Sequence, residues 1–208
     1  MKPNCSAKRL INNRQSLTDR IMTLELAMFL SVPTSQPYSC QEDPQSFKVH
    51  RQAQFAAWSV TTLESYYYDL QAAKDAGRNL LAIKYARMDN LVPCVNFIPR
   101  IASIVHLAIT GQQRFIDAYP RLMQGGRSLT TSTDDDGLTS FETYLRCELE
   151  TYSETTLGLL LADIRGLEQS GSSLSEAVYR CLAQQWGFYS LEALEASLQQ
   201  KGPATGSL

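Results

Sequence analysis

A chain of 208 residues with 44% hydrophobic and 19% charged content has the composition of one globular domain with a sizeable core, which excludes wholesale disorder. Its formal net charge is -2, its pI is near 5.7, and its Lys and Arg are scattered. No basic stripe is available to neutralise a run of phosphates, so nucleic acid is not an expected partner. The opening MKPNCSAKRLINNRQ lacks an apolar signal core, and the longest apolar run, Ile101 to Ile109, is too short to span a bilayer. Five cysteines without a Cys-x-x-Cys pair fit free thiols in a reducing compartment. The expectation is a cytoplasmic protein with no membrane association.

Residues 1–15 read as a flexible N-terminal segment, residues 16–200 as an all-α domain, and residues 201–208 as a flexible tail. The first helix is expected near Ser16, where Ser16 and Asp19 resemble a capping box. Leu17, Ile21, Leu24 and Met28 recur at helical spacing, with Glu25 beside that stripe, until Pro33 stops the helix. Asp43-Pro44 starts the next: Asp accepts N–H bonds at the cap, and Pro lacks only a donor that had no partner there. Its inward positions, Phe47, Arg51, Gln54, Phe55 and Trp58, put a cation and an amide on the greasy face. A helix over residues 61–76 presents Leu63, Tyr66, Leu70 and Ala73, with Asp69 next to the stripe, and Gly77 supplies its left-handed stop. Tyr66, Tyr67 and Tyr68 cannot all face inward, so at least one lies on the surface. Asn79 caps a helix with Leu80, Lys84, Tyr85, Met88 and Leu91 on one side, ended by Pro93.

Pro99 opens an apolar helix through Ile101, Val105 and Ile109, continuing past Gly111 to Phe115 and Tyr119. Residues 120–138 are irregular. Thr139 and Glu142 form a second capping box, opening one long helix to about Glu168. Ser173 and Glu176 form a third, for a helix that Gly187 closes, and a short helix carries Leu191, Leu194 and Leu198. No segment alternates apolar and polar residues, and no repeat of fixed period appears. The fold class is all-α, a single-domain bundle of about eight helices.

Metal chemistry has little support. His50 and His106 cannot make a three-His site, and the thiols lack zinc spacing. Asp134, Asp135 and Asp136 with Gly137 lack the alternating ligands and closing Glu of a calcium loop. No metal and no other cofactor is expected. Cys40 precedes a helix N-terminus, where the dipole lowers a thiol pKa, which makes it a candidate nucleophile; a structural thiol is the commoner use. Tyr144, Glu148 and Tyr152, four apart, stack on one helical face. An ionised Glu there needs a partner, and Arg51, Lys84 and Arg78 are available. Two readings follow. One is an ion-pair network that locks helix register. The other is a small polar pocket, with Glu148 and Asp69 for acid–base work. There Arg51, Gln54, Trp58, Tyr66, Arg78, Asn79, Lys84, Tyr85, Tyr144 and Tyr152 would bind a small anionic molecule.

Cys40-Gln41-x-Asp43, Arg51-x-x-Gln54-Phe55, Trp58, Glu64-Ser65-Tyr66 and Asp69-Leu70 form an ordered set. Gly77-Arg78-Asn79-Leu80, Lys84-Tyr85-Ala86-Arg87-Met88, Thr143-Tyr144-Leu145-Arg146, Glu148-Leu149 and Thr151-Tyr152-Ser153 extend it. Together they resemble the domain-of-unknown-function 4125 family, from about Glu25 to Ser190. Ile83 stands where the resemblance implies a Glu, and Cys147 where it implies Gly; if that Glu takes part in chemistry, this copy is altered. The resemblance implies bacterial and fungal relatives, some associated with nucleotidyltransferase-like domains or with secondary metabolism, and no mechanism. Two functions stay open: a cofactor-free small-molecule enzyme or ligand-binding protein, and a non-catalytic helical module that docks onto another protein.

Overall fold

Most helices here begin where a short polar side chain stands in for a missing carbonyl, because the first N–H groups of a helix have no partner within it. The computed structural model describes residues 5–33, 43–131 and 139–200, with side chains from Asn13 onward. Among these residues lie nine α-helices and no strand. They are α1 (Cys5–Leu30), α2 (Pro44–Ala56), α3 (Val60–Asp75), α4 (Leu80–Met88), α5 (Pro99–Ala118), α6 (Phe141–Leu149), α7 (Glu154–Gln169), α8 (Leu174–Gln185) and α9 (Leu191–Gln200). Asp43, Ser59, Asn79, Ser140, Ser153 and Ser173 cap α2, α3, α4, α6, α7 and α8 through their side chains. Gly77 (φ 67°) and Gly187 (φ 84°) take the left-handed backbone expected after α3 and α8.

Four local expectations are corrected. Helix α1 starts at Cys5, not near Ser16. The chain is already helical upstream, so the N–H groups at Ser16 need no cap, and Asp19 accepts from the Gln15 amide instead, at 2.9 Å. The single long helix after Thr139 is two helices, which raises the total to nine. Thr151 N and Tyr152 N bond back to Glu148 O and Leu149 O, and Ser153 restarts the helix. Tyr152 still points into the core, so the apolar spacing runs through the break unmarked. The cap of α6 is Ser140, not Thr139. Leu91 does not share the inner face of α4: that helix ends at Met88, Asn90 turns at φ 55°, and Leu91 is 74% exposed. Tyr68 is the tyrosine of its run left outside.

A repeat is also present. Asp163 on α7 accepts from Ser59 N and the Thr62 hydroxyl at the start of α3 (2.8 and 2.6 Å). Asp69 on α3 accepts from Ser153 N and the Thr156 hydroxyl at the start of α7 (3.0 and 2.7 Å). Each helix thus fastens the N-terminus of the other. Ser153, Thr156 and Asp163 each stand 94 residues beyond Ser59, Thr62 and Asp69. The same displacement relates Gly77 to Gly171, both at positive φ, and the caps Asn79 and Ser173. The packing follows suit. Helix α4 lies on α6 as α8 lies on α2, and α1 packs on α2, α3 and α4 as α5 does on α6, α7 and α8. The displacement went unread in the sequence because caps and turns carry it while the helix faces between them differ.

The main core collects Ile21, Phe55, Leu63, Tyr66, Leu70, Ile104, Leu149, Leu157 and Ile164 from both halves; Phe115, Ala183, Leu191 and Leu194 form a smaller one under α9. No helix among the described residues is long and apolar enough to cross a membrane.

Candidate functional site

Helices α1, α2, α4 and α6 bring four charges into the main core. Arg51, on the inner face of α2, sits between two carboxylates. Its Nε donates to Glu25 Oε2 at 2.8 Å, its Nη2 pairs with Glu25 Oε1, and its Nη1 donates to Glu148 Oε1 at 2.7 Å. Nη1 also donates to the side-chain Oε1 of Gln54, one turn on. Lys84 Nζ reaches Glu148 Oε2 at 2.6 Å. Two phenols complete the set, Tyr66 donating to Glu25 at 2.5 Å and Tyr152 to Glu148 at 2.6 Å. Glu25 is fully buried, and the other three charges are nearly so. No buried side-chain nitrogen or oxygen among the described residues lacks a hydrogen-bond partner.

Burial alone would push the Glu148 carboxyl up, but the Arg51 and Lys84 charges and the bonds from Lys84 and Tyr152 hold it well below the usual carboxylate range. Burial works against the charge on Arg51 and Lys84 too, and the facing carboxylates overcome it, so both cations are raised. The Tyr66 and Tyr152 phenols rise through burial and the neighbouring carboxylates. Tyr85 is pushed up to about 12, mainly by burial. Two cations thus offset two carboxylates, and the centre is neutral as a whole.

Above it runs a slot lined by Phe47, Tyr85, Tyr144 and Thr151 as well as the charged residues, with a cavity of about 20 Å³. That is room for about one water, far short of the several hundred Å³ that enclose a metabolite. Lys84 Nζ lies 3.5 Å from the centroid of the Tyr144 ring, and the Arg127 guanidinium carbon 4.9 Å from the same ring. Trp58 packs edge-on to Phe55, Tyr66 and Tyr152, forming an aromatic wall behind the charges.

Of the residues singled out from the sequence, Arg51, Gln54, Tyr66, Lys84, Glu148 and Tyr152 meet at the centre, Tyr85 and Tyr144 line the slot, and Trp58 backs it. Asp69 is occupied at the start of α7. Arg78 is exposed, and Asn79 caps α4 while donating to Met28 O. Cys40 and the Asp134–Asp136 run lie outside the described residues. Sequence reasoning left out Glu25, although a carboxylate beside the apolar stripe of α1 was the available signal. Phe47, placed on the inner face, and Thr151 also line the slot, Thr151 from the turn that the long-helix reading had concealed.

The fold and centre define an all-α protein with a buried ionic cluster on one side of a paired helical frame. The family model described as protein of unknown function (DUF4125) matches residues 15–196, and the chain belongs to that family. No curated protein and no solved structure matches it.

Proposed function

We propose that this chain binds a small anionic molecule at the Lys84 end of the ionic centre, through the slot between α2, α4 and α6. The observation that supports it is the placement of Lys84: buried, bonded to Glu148, and facing a slot walled by Phe47, Tyr85 and Tyr144. A ligand carboxylate or phosphate would compete with Glu148 for that ammonium, while the aromatic rings swing aside to admit it. Glu148, held ionised far below neutral pH, is a weak base, so in this reading it supplies charge and not a proton. The function is therefore recognition rather than acid–base catalysis, with no cofactor, and its place in cytoplasmic or secondary metabolism is part of the proposal. The test is a thermal-shift screen with small carboxylates and phosphate esters. A hit should raise the melting point of the wild type and not that of Lys84→Met. The proposal fails if no compound shifts the wild type, or if Lys84→Met responds equally.

The second reading, a helical docking module for a nucleotidyltransferase-like or biosynthetic partner, is favoured by one feature. In the α4–α5 connection Val95 is 83% and Phe97 80% exposed beside Leu91. Binding of a partner lost in Phe97→Asp, with the small-molecule screen blank, would select it.

A further inference from the structure

The paired halves contain their own control for the ionic centre. A displacement of 94 residues relates α2, α3 and α4 to α6, α7 and α8, down to the turns. Ala57 N and Trp58 N bond to Gln54 O and Phe55 O as Thr151 N and Tyr152 N bond to Glu148 O and Leu149 O. For α1 and α5 the displacement is 83 residues, fixed by what touches the equivalent caps. Asn79 donates to Met28 O at 2.7 Å, and a Cβ on Gly111 would fall 2.7 Å from Ser173 Cβ. That register also superposes Ile21 on Ile104 and Met22 on Val105, all buried.

The residues of the centre can then be read across. Arg51 answers to Leu145, Lys84 to Val178, Tyr66 to Leu160 and Glu25 to Ala108, while Gln54 and Glu148 answer to each other, as do Trp58 and Tyr152. The second half makes the same helix crossings with leucine, valine and alanine in place of the two cations and Glu25. A buried ion pair seldom stabilises more than a well-packed apolar replacement of similar size. The fold itself supplies that replacement.

We propose that the chain is an internal duplication of a four-helix unit with two equivalent sites, of which only the first carries charge, and that this charge serves binding rather than folding. The reading rests on the proposed function for what is bound: a carboxylate or phosphate group at Lys84. It makes Gln54 and Glu148 the two versions of one position, an amide and a carboxylate that both accept from Arg51 Nη1 where the halves meet.

The test grafts the silent site onto the charged one in the full chain: Glu25→Ala, Arg51→Leu, Tyr66→Leu, Lys84→Val and Glu148→Gln together. Circular dichroism and thermal melting should show the wild-type helix content and a cooperative transition within about 5 °C of wild type or above it. A chain that does not fold, or that melts far lower, overturns the claim that the fold can do without the charges. Asp69→Asn and Asp163→Asn test the duplication separately, since equivalent caps should lower the melting point alike; an effect from only one of them sinks the equivalence. A folded graft beside a wild type that binds no carboxylate or phosphate sinks the proposed ligand and leaves the duplication standing.

Discussion

Arg51 Nη1 and Glu148 Oε1 lie 2.7 Å apart across 97 residues of chain, so one ion pair ties α2 of the first half to α6 of the second. The contact is buried, and each partner has a further opposite charge, Glu25 on one side and Lys84 on the other. Removing a member therefore leaves a buried charge without its counterpart.

Glu148→Gln is the sharpest case. The amide keeps the shape but no longer offsets Arg51 and Lys84, and breaking a buried pair in this way costs about 3–5 kcal/mol. Urea denaturation should show that loss in the single variant. A change below about 1 kcal/mol would mean that water or a shifted side chain already screens the pair.

Acid should destabilise the protein through the same residue. The folded-state pKa of Glu148 is depressed, so the unfolded chain takes up the proton first as pH falls. Its contribution is fully present above the ordinary Glu value of about 4.3 and is lost below it. Lys84, raised in the fold, has the opposite sign: its contribution is full below about 10.4 and fades as pH climbs past that. Unfolding free energy measured from pH 7 down to 3 should fall more steeply for the wild type than for Glu148→Gln. Parallel curves would remove Glu148 from the account.

What could be read from the sequence was local. Asp43-Pro44, Asn79, Ser173, Gly77 and Gly187 act within a few residues of themselves, so spacing alone placed their helix ends. Arg51, Gln54, Lys84 and Glu148 were visible as polar side chains on apolar faces, which marks a convergence without saying who meets whom. The break at 150–153 was hidden because Tyr152 keeps the inward period. Glu25 was passed over because its partner lies on another helix. The repeat escaped for a related reason: Asp69 and Asp163 cap helices across the interface, a role that no periodicity within one helix displays.

Gly111→Ala tests the packing of α5 on α8. The new methyl would meet Ser173 Cβ at 2.7 Å, a contact that forces the helices apart. Overpacking of this kind costs about 1–3 kcal/mol. Ser173→Gly in the same chain should restore most of the loss, since Gly replaces a Ser cap at about a few tenths of a kcal/mol. Equal stability of the two Gly111→Ala backgrounds would show that the strain is relieved elsewhere.

The α4–α5 connection makes two predictions of opposite sense within two neighbouring residues. Asn96 Nδ2 donates to Glu150 O and Tyr152 O, both at 3.1 Å, bracing the connection against the α6–α7 turn that carries Tyr152 and Thr151. Arg87 adds to the brace through Glu150 at 2.7 Å and Val92 O at 3.0 Å. Asn96→Ala leaves two carbonyls short of a donor and should cost about 1–3 kcal/mol in urea denaturation. Phe97, by contrast, buries little, so Phe97→Ser should stay within about 0.5 kcal/mol of wild type. If Phe97→Ser destabilises as much as Asn96→Ala, that ring is packed in solution, and the apolar connection is not free to meet a partner.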